Sequence, residues 1–187
     1  MNMATKIYID QGHNPQNPNA GAEGNGYREQ DLVFRIGVEL AEILRAEGYD
    51  VRLSRPTADT QLGTSNATSL AARVNEANEW GADYFISLHA NASELAGASG
   101  SEALVFNLNS AAAELAEDIL EGLSDTTGLP DRGVTQRTNL YVLRRTRMPA
   151  VLVELGFITN PGDAALMANS PQLFALGVAN GITEYLS

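Results

Sequence analysis

The chain contains two histidines, His13 in "KIYIDQGHNPQN" and His89 in "YFISLHANAS", and each stands just past an apolar run. It contains no cysteine. Disulfides, thiolate-held zinc and a thiol nucleophile are therefore excluded together. Any metal must be held by nitrogen and oxygen, and neutral imidazole is the commonest protein nitrogen ligand. A single histidine after a strand is an ordinary polar residue in most proteins. Two at one rim of a sheet make a metal candidate that still lacks a third protein ligand.

The carboxylates supply that ligand and a base. Glu29 opens a helix after the Gly-rich connection "NAGAEGNGYRE". Spacing alone favours a first-turn carboxylate that complements the helix dipole, worth roughly 0.3–1 kcal/mol; the other reading is a ligand brought back toward His13. Glu23 is a rival ligand within the loop. Glu154 interrupts "PAVLVELGFI", an unbroken apolar run of the kind buried on both faces of a sheet. A carboxylate there costs several kcal/mol unless a charge, a hydrogen bond or a metal compensates it. It is read either as a salt-bridged or strand-end residue, or as a catalytic acid and base beside a metal site. The Gly-rich connection has neither the G-x-G-x-x-G fingerprint nor a P-loop lysine, so phosphate binding is not indicated.

The elements that position these residues follow from hydrophobic period. Strands are expected at 6–10, 50–55, 82–90, 101–108, 139–144 ("NLYVLR") and 149–159. Helices are expected at 28–48, 69–81, about 110–127, about 162–169 and 171–186. Residues 57–68 and the stretch from Gly128 to Gly133 read as loops. Alternating strands and helices imply a single α/β domain over 1–187, with a mostly parallel (mixed) central sheet of about six strands flanked by helices on both faces. Sites in such sheets lie at the carboxyl ends of strands, where both His13 and His89 fall.

Composition narrows the partners. The 187 residues make one ordinary domain, and a formal charge of -11 argues against nucleic acid. The basic residues of "LRRTRM" at 143–148, with Arg132 and Arg137 before them, read first as a solvated loop. No apolar run reaches the ~18 residues of a membrane helix, so membrane insertion is not expected. A monomer is expected. "MNMATKIYID" enters a strand without a signal-peptide pattern; the expectation is a leaderless chain or a catalytic segment separated from its leader.

"IDQGHN", "YREQDL", "FISLHAN", "DRGV" with "LYVLR", and "PAVLVELGFITNPGDAALM" together resemble, in order and spacing from about residue 6 to 186, the zinc-dependent N-acetylmuramoyl-L-alanine amidases of the Amidase_3 type. The resemblance implies zinc ligands at His13, Glu29 and His89 and an essential catalytic glutamate at Glu154, and so reverses the spacing-only reading of Glu29. It also implies a peptidoglycan substrate, cleavage between N-acetylmuramic acid and L-alanine, and action at the bacterial cell wall by a secreted, periplasmic or lysis-released enzyme. Asn91 and Arg132 are the expected wall contacts, with bracing of its loop the other reading of Asn91. "DQGHNPQNPNAGAEGNG" departs from the family's frequent Asp-x-Gly-His-Gly-Gly, keeping the ligand and altering the loop beside it. Some members carry a helical insertion that blocks the zinc site after the second histidine strand. "ANASELAGASG" is too short for one, so an open site is expected. The rival readings are a glycopeptide-binding module of the same fold and a zinc carboxypeptidase acting on the stem peptide.

Overall fold

A computed structural model describes residues 4–95 and 97–187. Residues 1–3, ahead of the first expected strand, and Ala96, in the small-residue loop, lie outside the described residues. In chain order the elements are β1 (Lys6–Gln11), β2 (Glu23–Gly24), β3 (Tyr27–Arg28), α1 (Glu29–Ala46), β4 (Asp50–Leu53), α2 (Asn66–Trp80) and β5 (Tyr84–Asn91). There follow β6 (Ser101–Val105), α3 (Ala111–Thr127), β7 (Asp131–Gln136), α4 (Tyr141–Arg145), β8 (Ala150–Phe157), α5 (Pro161–Asn169) and α6 (Pro171–Leu186).

Six strands form one sheet in the order β4-β1-β5-β8-β6-β7, and β2 and β3 form a separate hairpin. Every neighbouring pair in the large sheet is parallel except β6 and β8. The expected α/β fold with a mostly parallel sheet and helices on both faces is the one observed.

Alternation along the strands sorts side chains onto two faces. Ile7, Ile9, Ile86, Leu88, Val151, Val153 and Leu155 point to one, where Leu40 of α1, Leu120 of α3 and Val178 of α6 close a dry core. There Gly122 lets α3 and α6 touch, since a Cβ on it would lie 2.2 Å from the Gly177 carbonyl oxygen. Tyr8, Phe85, Ala150 and Leu152 point to the other face, covered by Val74 and Ala77 of α2 and by Val142 and Leu143 of α4. Those two helices cover only the lower part of the face.

Two expectations are corrected. "NLYVLR" is not a strand: residues 141–145 form α4, whose Val142 and Leu143 are buried against the sheet. The β-rich composition of this segment is outweighed by the need to cap Leu152 and Ala150 with a compact apolar plug. The stretch read as loop up to Gly133 instead begins β7, an edge strand bonded only to β6 and mostly exposed. An edge strand with polar residues on both faces carries no hydrophobic period to read. Several boundaries also move, two of them by three residues. α2 begins at Asn66, three residues early, on a capping box between Ser65 and Thr68, and β6 stops at Val105. Between Asn91 and Ser101 the described residues form bends and a turn, without a helix.

Candidate metal centre and active site

The strand and helix ends bring His13, Glu29 and His89 together. One ligand atom from each lies within 4.8 Å of the others. His13 stands on the turn after β1 with φ +66, a left-handed conformation that costs a non-glycine residue roughly 1–2 kcal/mol. Gly12 before it has no side chain because the His89 ring occupies the space, and a Cβ there would lie 2.6 Å from His89 Nε2. Glu29 is the first residue of α1 and is only 4% exposed. Its backbone N–H donates to the Ala22 carbonyl and its Oε2 accepts from the Ala22 N–H, so the hairpin loop and the helix start are locked to each other.

Glu29 Oε1 lies 3.1 Å from His13 Nε2 and 3.1 Å from His89 Nδ1, and it accepts from the Ala90 N–H at 3.0 Å. Three nitrogens thus converge on an oxygen with two lone pairs. The crowding is relieved if the two imidazole nitrogens face a shared cation, and the spacing suits one. Donor atoms 2.0–2.2 Å from a tetrahedral ion lie about 3.3 Å apart. The remaining His13 nitrogen, Nδ1, is buried without a partner among the described residues.

Glu154 stands beside this group. β5 and β8 run parallel with His89 opposite Glu154, and β6 continues across with Glu102 opposite Glu154. His89, Glu154 and Glu102 therefore form one row of half-buried side chains across three strands, on the face that α2 and α4 cover in part. Burial pushes the Glu154 carboxyl up to about 7; the charge of His89 opposes this, the charges of Glu29 and Glu102 add to it, and Arg137 opposes it. Glu154 Oε2 is buried with no hydrogen-bond partner among the described residues. Glu29 goes the other way. Its burial would raise it, but the hydrogen bonds and charges of His13 and His89 prevail and hold it well below the carboxylate range. The His89 imidazole, which burial would push down, is raised by the hydrogen bond and charge of Glu29.

The rival ligand Glu23 is exposed on β2 and is not among the clustered residues. Asn91 lies at the end of β5 and donates to Glu102 Oε1 at 2.8 Å, while its own Oδ1 accepts from the Ala92 N–H. Arg132, on edge strand β7, stacks over the Phe157 ring and donates to the Ser99 carbonyl at 3.3 Å. An apolar recess of about 130 Å³ adjoins the histidines, walled by Leu70, Leu140, Tyr141, Val142 and Leu152.

Sequence reasoning missed the polar layer beneath the site. Arg73 of α2, 1% exposed, forms a 2.6 Å ion pair with Asp10, whose second oxygen accepts from the Ser87 hydroxyl at 2.7 Å. Burial would raise the Asp10 carboxyl, but the charge and hydrogen bond of Arg73 hold it below its ordinary value. A signal existed: Leu70, Arg73, Val74 and Ala77 share one helical face, so an arginine stands where an apolar residue is expected. Glu102 was also missed, since only the antiparallel register of β6 places it beside Glu154.

A family model described as N-acetylmuramoyl-L-alanine amidase, Amidase_3, matches residues 7–184. The chain is 37% identical over 184 residues to N-acetylmuramoyl-L-alanine amidase CwlM of Bacillus licheniformis, covering 96% of this chain and 68% of that protein. It is 36% identical to the sporulation-specific N-acetylmuramoyl-L-alanine amidase of Bacillus subtilis, covering 96% and 67%. The catalytic domain of CwlV, an amidase of Bacillus (Paenibacillus) polymyxa var. colistinus, superposes with a TM-score of 0.84 at 32% identity over 97% of this chain and 98% of that one.

Proposed function

The chain belongs to the Amidase_3 family of N-acetylmuramoyl-L-alanine amidases, and on that basis we propose that residues 1–187 form one catalytic domain that hydrolyses the amide between N-acetylmuramic acid and L-alanine in peptidoglycan, using zinc. The observation that carries the reading is the convergence of two imidazole nitrogens and a carboxylate oxygen beside the in-register Glu154. His13, Glu29 and His89 would hold the metal, and the nitrogen and oxygen donors of this cysteine-free set suit zinc. When bound, zinc supplies Lewis acidity that polarises the scissile carbonyl and makes water a nucleophile near neutral pH.

The residues of the chain divide the remaining work. Glu154 takes the proton of the attacking water on its carboxylate and returns it to the nitrogen of the leaving alanine. Its unpartnered Oε2 leaves an acceptor free for that proton. Its raised pKa suits both halves of the exchange, and the charge of a cation alongside would draw it below 7. Glu29 stays ionised and would share the metal with the two histidines. Asn91, at the end of β5 and bonded to Glu102, and Arg132, on β7, would meet the glycopeptide. The site of action would be the bacterial cell wall, and no helix of the described residues is long and apolar enough to cross a membrane.

Digestion of purified peptidoglycan tests the reading, scoring new L-alanine amino termini with and without a chelator and then with zinc restored. Chelator-sensitive release restored by zinc is expected. Zinc uptake without release would move the assignment to a glycopeptide-binding module, and release of terminal D-alanine to a carboxypeptidase.

A further inference from the structure

A buried polar layer under the site ties the His13 turn to Arg73 and, through Asp10, to the strand that carries His89. Arg73 Nη1 donates to Asp10 Oδ1 at 2.6 Å and to the Gln11 carbonyl at 2.7 Å, and Nη2 donates to the His13 carbonyl at 2.6 Å. Nη2 also reaches Asn14 Oδ1 at 3.3 Å. Asn14 in turn donates to the Pro18 and Leu62 carbonyls, so the loop beside His13 hangs from the same point. On the other side Asp10 accepts from Ser87, two residues before His89 and on the same face of β5.

We propose that Arg73 is a positioning residue of the metal centre: its guanidinium fixes the His13 turn and, through Asp10 and Ser87, the strand under His89, and thereby sets how tightly the site holds its metal. The proposal rests on His13, Glu29 and His89 being the ligands. The turn itself explains why a clamp is needed. His13 sits in a left-handed conformation that its own side chain disfavours, and its backbone carbonyl has the Arg73 guanidinium as its bonded donor. Without that donor, relaxation of φ toward the ordinary region would swing the imidazole away from Glu29. Only a rigid planar fork can address the Asp10 carboxylate and the Gln11 and His13 carbonyls at fixed separations; a lysine offers a single point charge on a flexible stem.

The test uses the metal-free protein. Zinc affinity is measured by competition with a chromophoric chelator, coordination geometry by the visible absorption of added cobalt(II), and fold by the thermal midpoint before metal is added. Arg73→Lys is expected to lose about 10–100-fold in zinc affinity, the usual effect of removing a group that orients a ligand, and to shift the cobalt bands. Leu123→Ala, in the opposite core, serves as a destabilised control and is expected to keep wild-type affinity and spectrum. Asp10→Asn should move affinity in the same direction by less, and it decides the matter if Arg73→Lys does not fold. Wild-type affinity in the folded Arg73 or Asp10 variant, or an equal loss in Leu123→Ala, would overturn the proposal. A wild-type protein that takes up neither zinc nor cobalt would instead refute the ligand assignment, and the proposal with it.

Discussion

The two faces of the sheet are built on opposite principles. Under α1, α3 and α6 the strands present Ile, Leu and Val in alternation, and the layer holds the molecule together by excluding water. On the other face the same strands carry Asp10, Ser87, His89, Glu154 and Glu102 among the apolar positions, and α2 and α4 cover only part of them. Since successive residues of one strand serve the two faces, a single backbone register fixes both the core and the chemistry. Stability is concentrated on one side and function on the other.

The sharpest break between the faces should come from paired substitutions. Glu154→Gln is expected to retain metal and lose about 10²–10⁴-fold in turnover, as for a lost general base. His89→Ala is expected to lose both metal and turnover. Metal content by elemental analysis, beside release of L-alanine amino termini, checks the pair, and near-normal turnover of Glu154→Gln would remove its assigned role. On the apolar face, Leu120→Ala should cost about 2–5 kcal/mol in denaturant unfolding while leaving the specific activity of the folded fraction unchanged.

A smaller effect comes from the charge that the polar face holds in its interior. Folded Glu154 keeps its proton to about pH 7, whereas the unfolded chain releases it near 4.5. Between those values the folded state carries the extra proton, so its stability falls as pH rises. Metal-free Glu154→Gln should therefore exceed the metal-free wild type by about 1–3 kcal/mol at pH 8 and match it near pH 4. Added zinc should shrink the difference, since a cation stabilises the ionised carboxylate. Urea titrations at the two pH values measure it. Arg132→Ala, which removes an exposed stacking contact over Phe157, should cost under about 1 kcal/mol of stability. Any larger change should appear as a higher KM for muropeptide.

The sheet, its helices and the placement of His13 and His89 were legible because strand ends and helical periods leave marks in the order of residues. Glu154 was legible because a charge within an apolar run is conspicuous. Glu29 was not legible from spacing, since a helix-opening carboxylate serves the dipole equally well, and only likeness to known motifs tipped it. The segment at 141–145 was misread because Tyr and Val favour strands, while the tertiary demand for a plug over Leu152 favours a turn of helix. β7 was invisible because its stability comes from one neighbour's backbone and not from its own side chains. Arg73 and Glu102 depend on which elements meet in space, and periodicity does not report that.

The cross-strand row has a consequence for how the molecule tolerates change. Neighbouring strands lie about 4.8 Å apart whatever connects them, so the interval between His89 and Glu154 is a lattice constant of the sheet and owes nothing to loop length. Insertions in the segment 57–64, whose Leu62 lies against Asn14 beside the His13 turn, leave that interval untouched. A graft there becomes a change of lock around an unchanged bolt.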